Sequence, residues 1–128
     1  MEFDTLGIPT VQAGSREDAY RVLGYLHARD RLFQMDMQRR KAAGRLAEVL
    51  GEKALASDRK QRVYGFAGVA RKTVKQLRPE ERAVLLAYTE GVNAVIQTAR
   101  EFPPEFRFLH YKPEPWQPED SLMVASNM

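Results

Sequence analysis

The segment YLHARDRLFQMDMQRR, Tyr25–Arg40, has helical periodicity and an internal contradiction. At about 100° per residue, Val22, Tyr25, Leu26, Ala28, Leu32, Phe33, Met35 and Met37 form one broad apolar face. Arg29, Asp36, Arg39 and Arg40 fall within that same face. A desolvated charge without a partner costs several kcal/mol, so charges there must pair with one another or meet a polar surface elsewhere. Asp36 precedes Arg39 by three residues and Arg40 by four, which places the three side chains on neighbouring helical turns. The spacing therefore predicts an ion network of Asp36, Arg39 and Arg40. A competing reading has a kink near Asp30 that rotates the second half of the helix and returns Arg29 to solvent.

Outward from this segment the chain reads as mainly α, with a short N-terminal β-hairpin. Residues 1–14 hold β-prone pieces around a turn at Leu6-Gly7, which predicts a hairpin from Phe3 to Ala13. Ser15 is a candidate N-cap, with Glu17 and Asp18 in the first turn, where the helix dipole favours anions. Residues 15–101 form a helical region. A first helix is expected over about 16–28 and a second from a cap at Asp30 to a stop at Gly51. Caps at Ser57 and Asp58 would open a third, with Val63, Phe66, Ala67, Ala70, Val74 and Leu77 as its stripe. Gly65 and Gly68, inside that pattern, read as close-packing positions. Pro79 suits the first turn of the next helix, whose stripe is Val84, Leu85, Tyr88, Val92, Val95 and Ile96, and the two together read as a helical hairpin.

Five of the seven prolines lie between Pro103 and Pro118, so residues 102–119 read as an extended segment wrapping over the helices. Trp116 within it is expected to pin the segment to the core. Residues 120–128 begin a further helix capped by Asp120. That helix is still apolar where the sequence stops, which reads as part of something longer, and the 128 residues form a single unit.

Composition narrows the function classes. The formal net charge of +3 arises from 20 basic and 17 acidic residues of alternating sign, too weak a bias to indicate nucleic acid without a concentrated patch. The one dense run, RRKAAGR from Arg39 to Arg45, reads as a solvated helix face or as a phosphate contact. A free-standing basic helical module for nucleic acid or an acidic partner is therefore the alternative function. The absence of cysteine removes disulfides and thiolate metal sites. No apolar run reaches the roughly 18–20 residues of a membrane span. His27 and His110 stand far apart in sequence without metal-ligand spacing, and no phosphate-binding or nucleophile-elbow motif is present. No catalytic residue and no metal ligand is assigned within the chain.

The ordered set GIPTVQA, DAYRVLGYLHARDRLFQMDMQRRKAAGRLAEVLG, LLAYTEGVNAVI, PPEF and PEPWQPEDSL resembles the α chain of the penicillin acylase family of N-terminal nucleophile hydrolases. The likeness covers nearly the whole chain, and the block around ARDRLFQMDMQRR carries most of it. It implies the α-chain part of a layered α/β/β/α fold completed by a β chain cut from the same precursor. It also implies hydrolysis of an acyl amide, such as a β-lactam side chain or an N-acyl homoserine lactone, by the N-terminal serine of that β chain. In this chain it implies a substrate-pocket position at Met128. Calcium in the complete enzyme and a periplasmic or secreted location are further implications. Thr10 and Arg29 depart from the family pattern, where histidine and glutamine are frequent.

Overall fold

The computed structural model describes residues 1–128. Strands β1 (Glu2–Phe3) and β2 (Pro9–Thr10) pair antiparallel, with Glu2 opposite Thr10 and Phe3 opposite Pro9. The Asp4 carboxylate closes the turn by accepting from the amides of Leu6 and Ile8 at 2.9 and 2.8 Å. Helix α1 (Arg16–Ala43) starts at Ser15, whose hydroxyl accepts from the Asp18 amide at 3.0 Å.

The two helices expected up to Gly51 are present, joined across a kink as α1, but the second ends earlier. The kink lies at Arg31 (φ −140°, ψ 25°), and the chain turns at Gly44 (φ 67°). Gly44 is the left-handed cap of a Schellman-type stop, with the Arg45 amide reaching the Arg40 carbonyl at 2.8 Å. A side chain there would strike the Asp58 carbonyl and Arg62, so packing reinforces the choice of glycine.

Helix α2 (Ala47–Leu50) and a 3₁₀ turn (Gly51–Ala54) lead into α3 (Leu55–Tyr64), and α4 (Phe66–Gln76) follows. Ser57 and Asp58 lie inside α3 and do not open it. The buried Asp58 carboxylate instead reaches back to accept from the amides of Leu46 and Ala47 at 2.9 and 2.8 Å, capping α2 from a distance. Gly65 (φ 71°) separates α3 from α4, and neither Gly65 nor Gly68 has another element close enough to need a missing Cβ. Their packing role is thus corrected: the first is a helix break. Val63, assigned to the stripe, lies on the far side of that break and is 85% exposed.

Helix α5 (Pro79–Thr98) packs along α1, while α4 packs on α7 (Pro118–Ser126), so α4 and α5 are not the hairpin partners expected. The α1/α5 contact is close enough for backbone to touch backbone at Gly24 and Gly91. Within the proline-rich wrap a short helix, α6 (Pro104–Phe108), seats Phe106 in the core, and the chain is extended only beyond it. The main core joins Ala28, Leu32, Val92, Phe106 and Trp116, and a smaller one joins Ala42, Ala70 and Met123. Asp120 lies in the first turn of α7 and accepts from the Gln117 amide at 2.8 Å, closing the helix start from one turn inside.

Candidate functional site: a buried ion network

The kink and the ion network coexist. Arg29 points to solvent, pairs with Asp30 at 2.7 Å and lies 4.7 Å from the ring centre of Phe3, tying the hairpin to α1 through a cation–π contact. Beyond the kink, Asp36, Arg39 and Arg40 are all buried, at 1%, 6% and 4% exposure. Asp36 accepts from Arg39 (Nε 2.9 Å, Nη2 2.6 Å) through one oxygen and from Arg40 Nε (2.9 Å) and the Tyr111 hydroxyl (2.8 Å) through the other. Four donors saturate the carboxylate, so its burial leaves no lone pair unmet.

The two guanidinium groups point to different partners. Arg39 donates to the carbonyls of Glu114 and Pro115 at 2.7 and 3.0 Å and to Asp120 at 3.2 Å, and stacks 5.2 Å from the Trp116 ring centre. Arg40 reaches Glu48 at 2.7 Å and lies 5.1 Å from the Tyr111 ring centre. Arg45 closes the outer rim, donating to both Glu48 and Glu114. Three of the four cations in RRKAAGR are therefore bound to carboxylates, and Arg39 and Arg40 lie beneath the surface. This corrects the solvated-face reading for those two and withdraws the charge that a nucleic-acid contact would use.

Proton affinities follow this geometry. The Arg45 guanidinium holds the carboxyls of Glu48 and Glu114 below the usual range, against a smaller opposing effect of burial. Burial, then the hydrogen bond to Asp36, pushes the Tyr111 hydroxyl well above an ordinary tyrosine. Burial is the largest single effect on Arg40 and works against its charge, but the hydrogen bond and the charge of Asp36, together with the charge of Glu114, outweigh it and the group is held more firmly protonated.

Sequence spacing found the three α1 members but not Tyr111, Glu114 or Asp120, which arrive from the wrap and α7. The available signal was the wrap itself, since an extended segment without sheet partners must find polar partners for its carbonyls. Asn93 supplies others, receiving the Trp116 amide at 2.7 Å and donating to the Trp116 carbonyl at 2.9 Å. Trp116 is buried and pins the wrap as expected.

The remaining candidates stand apart. His27 Nδ1 lies 3.0 Å from the Tyr88 hydroxyl, and His110 is at the surface with φ 56°. The hydroxyls of Ser15, Ser121 and Ser126 are engaged with a backbone amide, the Trp116 indole and a backbone carbonyl. Met128 lies past α7, 98% exposed. No three carboxylates or histidines converge on a metal-sized site, and the buried Asp36 and Asp58 carboxylates are committed to other donors. The network holds three segments together and presents no nucleophile beside a base.

A sequence profile of the family described as penicillin amidase matches residues 1–128. The penicillin acylase 2 proenzyme of Pseudomonas sp. (strain SE83) is 45% identical over 125 residues, covering 98% of this chain and 16% of that protein. The acyl-homoserine lactone acylase QuiP of Pseudomonas aeruginosa is 38% identical over 122 residues, covering 94% of this chain and 14% of that protein. Among solved structures, a thermostable penicillin G acylase from Alcaligenes faecalis superimposes with a TM-score of 0.89 at 32% identity, over 98% of this chain and 68% of that one. The chain thus spans between a seventh and a sixth of the length of these two sequence relatives.

Proposed function

This chain belongs to the penicillin amidase family, and on that premise we propose that it is α-subunit sequence of an amidohydrolase that cleaves acyl amides. The observation that carries the reading is the match along all 128 residues to one family of hydrolases. Among its relatives is a proenzyme, which supports a partner β chain released from the same precursor. The nucleophile in this reading is the N-terminal serine of the β chain. A serine hydroxyl attacks an amide only when an adjacent base accepts its proton, and the serine's own α-amino group would be that base. Donors on the β chain would stabilise the developing oxyanion.

The part assigned to this chain is support. Its helices would cover one face of the β chain's sandwich, and the stretch reached through α7 at Met128 would form a wall of the acyl pocket. The acyl group is of the kind carried by β-lactam side chains or N-acyl homoserine lactones. Calcium, in this reading, is bound outside the residues described here. No helix is long and apolar enough to cross a membrane, and the reading places the mature enzyme in the periplasm or outside the cell.

Denaturing intact-mass analysis with N-terminal sequencing tests it. Two chains from one gene are expected, the larger beginning with serine, together with amide hydrolysis that disappears when that serine becomes alanine. An uncut precursor that hydrolyses acyl amides at full rate, or a matured pair that cleaves none of the phenylacetyl, glutaryl and long-chain acyl amides, would overturn it.

A further inference from the structure

We propose that Arg39 is a positioning residue for acyl selectivity: it fixes the start of α7 against α1 and thereby the direction in which the helix delivers the pocket wall. The proposal rests on the reading above.

All five guanidinium hydrogens of Arg39 are used. Two go to Asp36 on its own helix, two to the carbonyls of Glu114 and Pro115 just before α7, and one to Asp120 in the first turn of α7. The Asp120 oxygen that receives Arg39 is the one that receives the Gln117 amide, so a single atom joins the start of α7 to α1. Asp36 is held in turn by Arg40 and Tyr111, which leaves Arg39 little freedom to follow a moving strap. A cavity of about 320 Å³ lies beside these groups, lined by Arg39, Glu114, Pro115, Asp120 and Met123 among others, so the strap has room to shift if the grip is lost.

The lever arm explains why this matters at a distance. Nine residues of helix extend about 13 Å, so a tilt of about 10° at the first turn moves the far end by about 2 Å. Displacement on the order of 1 Å is already enough to disturb substrate placement. Lysine would keep the charge, but its three donors radiate from one nitrogen and cannot span Asp36, two carbonyls and Asp120 together.

The experiment uses the complete mature enzyme carrying Arg39→Lys or Asp120→Asn. The latter retains an acceptor for the Gln117 amide, preserves the helix start and removes only the charge facing Arg39, so it serves if Arg39→Lys does not mature. Steady-state kinetics on amides differing only in acyl chain should show KM for the preferred chain rising roughly tenfold with kcat within about threefold, and the preference over other chains flattening. Asp120→Asn should shift the preference in the same direction by less. Hydrogen exchange at the amides of residues 122–126 should accelerate while α5 is unchanged. Unaltered acyl ratios, equal losses of kcat/KM for every acyl group, or unchanged exchange in α7 would each overturn the proposal. A parent enzyme that cleaves no acyl amide would sink the functional reading instead, and α7 exchange alone would then decide whether Arg39 positions the helix.

Discussion

Gly24 on α1 and Gly91 on α5 are reciprocal gaps. A methyl group on Gly24 would land on the Tyr88 carbonyl, and one on Gly91 would land on the Arg21 carbonyl. Each glycine makes room for the other helix's backbone about one turn from the opposite glycine, so the two longest helices meet without intervening side chains.

Helix propensity alone favours alanine over glycine by about 1 kcal/mol in a helix interior. At Gly91 the clash is with backbone that cannot rotate away, so Gly91→Ala should destabilise by about 1–3 kcal/mol or more in spite of that gain. Gly68, also helical but facing open space, is the control. Gly68→Ala should leave stability unchanged or raise it by up to about 1 kcal/mol. In the assembled protein the denaturant midpoint of Gly91→Ala should fall, whereas that of Gly68→Ala should hold or rise.

Asp36→Ala leaves Arg39 and Arg40 buried with their central acceptor removed. Breaking a buried pair on one side typically costs about 3–5 kcal/mol. Maturation, or retention of the partner chain on size exclusion, should fall sharply, with Asp36→Asn intermediate. A variant that matures and stays assembled like the parent would remove the network from its anchoring role.

Tyr111→Phe keeps the ring beside Phe106 and Arg40 but deletes the hydroxyl that donates to Asp36. The loss of one hydrogen bond to a charged group corresponds to about 1.5–3 kcal/mol. Because burial and Asp36 both disfavour the tyrosinate, ultraviolet titration below pH 11 should give the same tyrosine signal in parent and variant. A drop in that signal would mean that Tyr111 ionises normally and lies outside the network.

The outer rim carries a pH dependence of defined sign. Glu48 and Glu114 have folded pKa values depressed by Arg45, from an ordinary value of 4.5. Their stabilisation is therefore fully present above about pH 5 and is lost as pH falls through the depressed folded values. Both side chains are about half exposed, at 47% and 49%, so solvent screening keeps the effect small. Arg45→Ala should therefore lower thermal stability slightly above about pH 5, pH 7 included, and leave it nearly unchanged at the acid end, so that the acid limb flattens. A parallel acid limb would assign that slope to other carboxylates.

The elements that sequence made legible are those whose cause is local. Ser15 caps α1, Pro79 starts α5, and the 3,4 spacing of Asp36, Arg39 and Arg40 builds a network. The misreadings occur where a distant residue decides. Gly44 ends α1, rather than Gly51, because α3 lies against it and Arg62 binds its carbonyl at 3.0 Å. Asp58 resembles a cap for its own helix and serves another eleven residues upstream. The α4 stripe is genuine, but its periodicity does not say which partner it meets, and α7 occupies the place assigned to α5. Half of the candidate site was hidden for the same reason, since Tyr111, Glu114 and Asp120 become neighbours of Arg39 and Arg40 only when the wrap closes.

The extended stretch between Tyr111 and Trp116 is fastened at both ends to different helices, by the Tyr111 hydroxyl on Asp36 of α1 and by the paired amide and carbonyl of Trp116 on Asn93 of α5. Asn93 does for one residue what a neighbouring strand does for many, supplying both halves of a backbone ladder rung. The stretch therefore has a specified length as well as a composition. An inserted residue would have to bulge or slide Trp116 off its rung, whereas substitutions at the exposed Lys112 would leave both fastenings intact. Its evolution should thus tolerate changes of letter far more readily than changes of count.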